Sequence, residues 1–217
     1  MQRHTVLIAT MLALTASSVS GQAREQDSTS GKVFVGSSLF LLGNLASTNA
    51  PDFAQLNVGY RKTPRDVFSI EVMTWKYAWP LGIPYGKSYE APEEKYPGYV
   101  RDIGVSLAYQ RFLWKGAYAA VHAMNASTRY VDEHNRKIQN GYKLFMTYRV
   151  GYHFPLFHNR FFIEPSVAMT HWPINTHVPA SFAAREDNWP NHFLFEPGLH
   201  FGYNLKRPLR SSASMGH

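Results

Sequence analysis

Eight stretches of the chain alternate apolar and polar residues with a period of two, and this pattern limits the fold more than any other feature. A period of two places successive side chains on opposite faces of a β-strand, whereas a helix would repeat at about 3.6 residues. The stretches are longer than the usual strand of about 5–6 residues and suit a tilted bilayer crossing. The sequence therefore predicts strands at 32–43, 53–62, 66–79, 99–113, 117–129, 140–154, 160–172 and 192–205.

The connections between these strands are short and long in turn. The short ones are 63–65, 114–116 and 155–159, and the long ones are 44–52, 80–98, 130–139 and 173–191. An even number of strands, with tight turns at one end and long loops at the other, is typical of a transmembrane β-barrel. We therefore expect an all-β fold, an eight-stranded antiparallel up-and-down transmembrane β-barrel over 32–205.

The two faces of the strands differ in a way that indicates which one is outside. Strand 99–113 carries Ile103, Val105 and Leu107 on one face, whereas the other face mixes charged groups with Gly, Ala and Ser. Small residues among large charged ones suit the interior of a narrow barrel, where they leave room for the larger side chains. We expect the polar face inside and the apolar face outside. The alternative is an exported soluble lipocalin-like carrier, which has its apolar set inside.

The first residues predict export. A short basic region precedes the apolar run 6–16, and small residues follow at 17–21. This order is that of a cleaved signal peptide, and the run is too short for a spanning helix of about 20 residues. We expect a signal peptide at 1–21, a periplasmic segment at 22–31 and a basic periplasmic tail at 206–217, in a protein of the cell outer membrane.

Composition excludes several classes of function. The chain has no Cys, so a disulfide and a Cys-ligated metal site are excluded. The formal charge of +7 comes without a helical DNA-binding motif or an RNA-stacking signature, so we expect no nucleic-acid partner. We expect no cofactor and no metal, because the histidines lack metal-ligand spacing. They are expected on the surface or near the membrane interface at His153, His158, His171 and His177.

The last strand ends in alternating Phe201, Tyr203 and Leu205, like the aromatic closing strand that barrel-assembly machinery reads. With the layout of 32–205, the chain resembles the small eight-stranded outer-membrane barrels of the OmpA and OmpX kind. The resemblance implies a structural, adhesive or surface-interaction role and contact with outer-membrane lipids. Such proteins usually stop at the aromatic end, whereas this chain continues through 206–217.

Charged residues on the polar face are expected to plug the lumen, since eight strands enclose barely enough space for side chains. If strands 140–154 and 160–172 form a hairpin, Arg149 lies opposite Glu164 and the pair is stabilising. A conducting pore is not expected. The predicted network of ion pairs consists of Arg61, Lys143, Arg149, Glu164 and Glu196.

An acyl-transfer or hydrolase site is a more specific hypothesis for the interior than a plug of ion pairs. Glu71, Ser106 and His122 lie at similar depth on three consecutive strands, in the roles of orienting acid, nucleophile and base. Pro165 and Pro197 stand in two adjacent strands, where proline cannot donate to the ladder. They form a bulge or open a lateral slot through which an acyl chain enters. This hypothesis makes the chain an outer-membrane lipid-acyl-modifying enzyme.

The remaining predictions concern the long loops and the ends of the strands. The loops 80–98 and 173–191 are the candidate site for an extracellular ligand, because the first is rich in tyrosine and proline. The alternative is that they only pack over the barrel mouth. Aromatic residues near the strand ends are expected in interfacial girdles. The expected girdle residues are Trp75, Trp79 and Trp172 at the loop end and Trp114, Phe154 and Phe157 at the turn end.

Overall fold

The structure, a computed structural model, describes residues 32–45, 50–77, 97–186 and 191–205. These residues form nine strands, one short 3₁₀-helix and one short α-helix. The strands are β1 (Val33–Ser38), β2 (Ala54–Arg61), β3 (Asp66–Tyr77), β4 (Gly98–Trp114), β5 (Ala117–Asp132), β6 (Lys137–Tyr152), β7 (Phe154–Leu156), β8 (Phe161–Thr176) and β9 (His192–Asn204). The 3₁₀-helix spans Leu39–Leu45 and α1 spans Ala180–Glu186.

All nine strands belong to one antiparallel sheet that returns to its own edge. Consecutive strands pair from β1 to β6, β1 also pairs with β9, and β8 pairs with β9, β7 and β6. The three-residue β7 continues the line of β6 along β8, so eight long strands surround the lumen. The predicted all-β antiparallel fold is confirmed.

The strand boundaries differ from the predicted ones in three places. The segment 39–43, expected to finish the first strand, lies in the 3₁₀-helix. Strands β5 and β6 extend further than expected, so their loop shrinks to 133–136. Strand β8 continues past Pro173 to Thr176, with a register shift opposite Leu144 and Met146 that accommodates the extra residue. Residues 1–31, 78–96 and 206–217, which hold the expected signal peptide, most of the loop 80–98 and the basic tail, lie outside the described residues.

The predicted assignment of the two faces is confirmed by burial. On β4, Ile103 and Leu107 are 56% and 62% exposed, whereas the residues that precede them, Asp102 and Ser106, are fully buried. The same alternation places the charged Lys143 in the lumen and Val150 outside. An apolar exterior around a polar interior is the reverse of a lipocalin-like carrier.

Two aromatic clusters close the lumen near its ends. The loop-end cluster contains Tyr77, Val100, Tyr130, Trp172 and Phe182. Phe182 comes from α1 and is fully buried, with its ring 5.1 Å from that of Tyr130. The turn-end cluster contains Phe34, Val67, Phe112, Tyr118 and Phe162.

The expected girdle is wrong for two tryptophans. Trp172 is buried in the loop-end cluster, and Trp75 packs against that cluster from within the barrel. Trp172 is an even number of residues from Glu164, so the strand alternation itself places both on the inner face. Trp114 and Phe157 are exposed at the turn end, as expected of girdle residues. Trp79 lies outside the described residues.

Candidate functional site

A small polar cavity lies in the lumen between the two aromatic clusters. Its volume is about 40 Å³, which is room for a few water molecules. Strands β3, β5, β6, β8 and β9 supply the ionisable side chains that line it, because each has its polar face inward. These side chains are Glu71, His122, Arg149, Glu164 and His200.

The three residues of the predicted acyl-transfer site meet only in part. Glu71 lies directly opposite Ser106 in the β3–β4 pairing, and its Oε2 is 3.1 Å from Nδ1 of His122. Among the described residues, Ser106 Oγ and His122 Nε2 are buried without a hydrogen-bond partner, so they do not bond to each other. The orienting half of a triad is therefore assembled, whereas the contact that activates the nucleophile is not made.

The expected pairing of Arg149 with Glu164 differs from the observed one. Arg149 lies opposite Ala168 and donates to Ser166 Oγ at 2.8 Å. Glu164 instead contacts His153, with Oε1 and Nδ1 2.7 Å apart. The reason is the hairpin, which turns two residues later than expected because β7 extends the strand through Phe154–Leu156.

Arg61, at the turn end, is enclosed by aromatic rings. Its guanidinium carbon lies 5.1, 5.6 and 5.3 Å from the ring centres of Phe34, Phe112 and Phe162, and the residue is 2% exposed. Stacking on rings suits a planar guanidinium, which is more weakly hydrated than an ammonium. This cation lies within the turn-end cluster itself.

The remaining residues of the predicted network contact neutral groups. Lys143 Nζ donates to Tyr77 Oη at 2.9 Å, and Tyr77 Oη donates to Asp102 Oδ2 at 2.7 Å. Glu196 accepts a bond of 2.8 Å from Thr170 Oγ1. Tyr77 and Asp102 were not among the predicted network residues, although their positions on the inner face of β3 and β4 follow from the alternation.

His153 does not lie at the surface or the membrane interface, where it was expected. It is buried against Glu164, whereas His158 and His177 are exposed. His153 lies an even number of residues from Lys143 and Arg149, and this spacing places it on the inner face.

The two prolines lie on the outer face, and each is paired across the β8–β9 ladder. Pro165 is opposite Leu199 and Pro197 is opposite Val167, so β8 and β9 pair through both positions. Pro165 falls between the pairs Gly151–Ser166 and Phe154–Ile163, where β6 gives way to β7. Proline has no N–H to donate, and this accounts for the break between β6 and β7 in their pairing with β8. The β8–β9 register shift lies between Ala168 and Thr170, one residue beyond the pair of Val167 and Pro197.

The outer face carries charged residues at both edges of its apolar surface. At the turn end, Arg111 Nη1 lies 2.8 Å from Asp66 Oδ1. At the loop end, Lys76 and Arg101 lie 3.0 and 2.6 Å from Asp52 Oδ2. The hydrogen bond from Lys76, helped by the charge of Arg101, holds the pKa of Asp52 below its ordinary value.

The described residues lack two kinds of feature. No group of three or more His, Cys, Asp or Glu side chains is placed to hold a metal ion in this part of the chain. No helix within the described ranges is long and apolar enough to cross a membrane.

Comparison with known proteins gave one structural similarity. No protein family model and no curated protein matches the chain. The structure is similar to the N-terminal β-barrel domain of Pseudomonas aeruginosa OprF, with 10% sequence identity and a TM-score of 0.38. The match covers 81% of this chain and 98% of the OprF domain.

Proposed function

We propose that this chain is an integral outer-membrane β-barrel with a closed lumen and a structural or surface-interaction role. The observation that carries the proposal is the apolar outer surface. Between Asp66–Arg111 and Lys76–Arg101, every outward pair of β3 and β4 is apolar or aromatic except for Thr74 opposite Ile103. Side chains such as Leu107 would be costly to expose to water over so continuous a surface, whereas lipid covers them without cost.

The height of this surface matches a membrane. Ten residues separate Asp66 from Lys76 along β3. At about 3.3 Å per residue and a strand tilt of about 40°, the two charged levels are about 25 Å apart along the barrel axis. Outer-membrane barrels have an apolar band of about 25 Å.

A closed lumen supports a role that does not involve transport. The two aromatic clusters close both ends, and the cavity between them measures only about 40 Å³. The expected export signal at 1–21 and the loops at one end of the barrel are consistent with a protein that presents its loops at the cell surface. The ligand of those loops, expected at 80–98 and 173–191, belongs to this proposal.

Single-cysteine labelling tests the membrane assignment directly, because the chain has no native Cys. Nitroxides at Leu107→Cys and Val150→Cys in lipid vesicles are expected to be accessible to oxygen and protected from a water-soluble nickel complex. A label at Arg136→Cys, in the exposed loop 133–136, is the aqueous control. Equal nickel access at all three sites would overturn the proposal, as would identical gel migration before and after heating.

A second function, acyl transfer or hydrolysis on an outer-membrane lipid, is favoured by the contact between Glu71 and His122 and by the position of Ser106 opposite Glu71. In this role Ser106 is the nucleophile, and its Oγ must come within hydrogen-bond reach of His122 Nε2. The test compares the acyl content of lipid A from cells with Ser106→Ala, His122→Gln and the control Ser69→Ala. Unchanged acylation in all three, with normally folded protein, would exclude this function.

A further inference from the structure

We propose that the outer face of β3, β4 and β5 binds a phosphate group on the headgroup of an outer-leaflet lipid. The site is a level of three basic side chains, which we call the basic row: Lys76, Arg101 and Arg129. This inference rests on the proposed membrane location.

Strand pairing places the basic row at one height. Lys76 lies directly opposite Arg101 in the β3–β4 pairing, and Arg101 lies directly opposite Arg129 in the β4–β5 pairing. All three residues have the outward parity of their strands, shared with Val72, Ile103 and Ser127. Like charges at facing positions are destabilising, so an anion at this level would stabilise the row.

The described residues place one carboxylate against this row and leave one of its arginines without an ion pair. The carboxylate of Asp52 contacts both Lys76 and Arg101 through the same oxygen. Arg129 is exposed and has no ion-pair partner among the residues that the structure describes, and its neighbour on β6 is the neutral Asn140. Within the described ranges Arg129 therefore has no counter-charge of its own, and it lies opposite Arg101, whose Nη2 is bound to Asp52. An anion placed between the two arginines would balance this charge.

The position of the basic row relative to the apolar band indicates which kind of anion it binds. The row lies directly above the apolar band, two residues beyond the pair of Thr74 and Ile103. In a membrane this is the level of the lipid headgroups on the loop side. A phosphomonoester carries up to two negative charges and matches the fork of an arginine guanidinium. Two neighbouring arginines at this level are therefore suited to the phosphate of a lipid whose acyl chains lie along the band below.

Binding of labelled lipid A to the full chain in mixed micelles tests the inference. The parent is expected to prefer bis-phosphorylated lipid A over the same lipid with its phosphates removed. Arg101→Gln and Arg129→Gln are each expected to weaken binding about fivefold, and the double variant about 25-fold, as for basic groups at an anionic surface. Asp52→Asn is expected to strengthen binding, because it removes the competing carboxylate.

Arg136→Gln is the matched control. Arg136 lies at the same end, is 76% exposed and already pairs with Asp132, so its loss is expected to leave binding unchanged. Equal binding of the two lipids by the parent would overturn the inference, and so would an Arg136→Gln loss as large as that of Arg129→Gln. Competition by inorganic phosphate at the concentration of the lipid would point to free phosphate and overturn the lipid assignment.

Gel migration of the same samples separates the two proposals. A chain that shifts on heating but does not discriminate between the lipids leaves the membrane proposal intact and removes only the phosphate site. A chain that neither shifts on heating nor enters micelles refutes the membrane proposal itself.

Discussion

Several of the charged side chains buried in this lumen contact neutral groups. Arg61 is surrounded by phenylalanine rings, Arg149 donates to Ser166, and Lys143 donates to Tyr77. A buried charge is costly unless it is paired or hydrogen-bonded, and rings or hydroxyls meet part of that need without a second charge. The interior thus differs from a simple set of facing Arg–Glu pairs.

The hydroxyl of Tyr77 links a buried cation to a buried carboxylate, and its removal should be costly. Tyr77→Phe takes a hydrogen bond from both Lys143 and Asp102, so we expect the free energy of unfolding to fall by about 2–3 kcal/mol. Urea unfolding in lipid vesicles measures the loss. Tyr109→Phe, whose hydroxyl bonds Asp66 at the edge of the apolar band, should cost less because water can replace it. A Tyr77→Phe protein as stable as the parent would contradict the importance of this link.

Glycines on the inner face provide room for large side chains, and Gly59 is the clearest case. A Cβ at Gly59 would run into the ring of Phe34, which also packs edge-on against Phe162 at 5.3 Å. Gly59→Ala is therefore expected to lower the free energy of unfolding by about 1–3 kcal/mol through overpacking. Gly43→Ala is the control, since its Cβ would meet only a Pro51 side-chain carbon at 3.3 Å. Equal stability of the two variants in urea would show that Phe34 moves aside freely.

At the scale of elements, alternation predicted the inner and outer faces but not the details of pairing. Ile103 and Asp102 could be assigned to opposite faces because a strand's side chains alternate whatever its partner. The register of the hairpin between β6 and β8 depends on where the chain turns, and Phe157, His158 and Asn159 adopt positive φ angles there without a glycine to mark the turn. The pairing of Glu164 with His153 could not be predicted without that turn.

Helix α1 was likewise not predictable, because it lies within a loop and is only seven residues long. So short a helix has little stability of its own, and tertiary contacts must hold it. Phe182 supplies them from inside the barrel mouth, while Ser181 beside it is exposed. Helix α1 therefore plugs the barrel mouth. Its sequence holds one phenylalanine among small residues, and this signal is too weak to distinguish the helix from an ordinary loop.

The plug formed by α1 gives a prediction at the same scale. Phe182→Ala removes a fully buried ring from the loop-end cluster and should lower the free energy of unfolding by about 3 kcal/mol. Hydrogen exchange of the Tyr130 amide region should rise in the variant, since the mouth is no longer covered. Ser181→Ala, on the exposed side of α1, should leave both stability and exchange as in the parent. Unaltered exchange in Phe182→Ala would mean that α1 does not seal the mouth.

At the scale of the molecule, the two ends of the barrel differ in what they carry. Strands β1 and β9 pair with each other, so the beginning of the first and the end of the last meet at the turn end. The turn end also carries the exposed Trp114, whereas the loop end carries α1. In the proposed outer-membrane barrel, the turns and these strand ends lie on the periplasmic side and the loops lie outside.

This orientation can be tested in intact cells with an epitope inserted at either end. A tag between Glu133 and His134 lies in an exposed four-residue connection and should bind antibody without permeabilising the cells. A tag between Lys115 and Gly116, in the turn from β4 to β5, should bind antibody only after the outer membrane is opened. Heat-dependent gel migration of both tagged proteins shows that each is folded. Surface staining of the Lys115 tag would reverse the orientation, and so would absence of surface staining for a folded Glu133 tag. The basic row of Lys76, Arg101 and Arg129 would then lie in the periplasmic leaflet, where phospholipid headgroups would be its ligands.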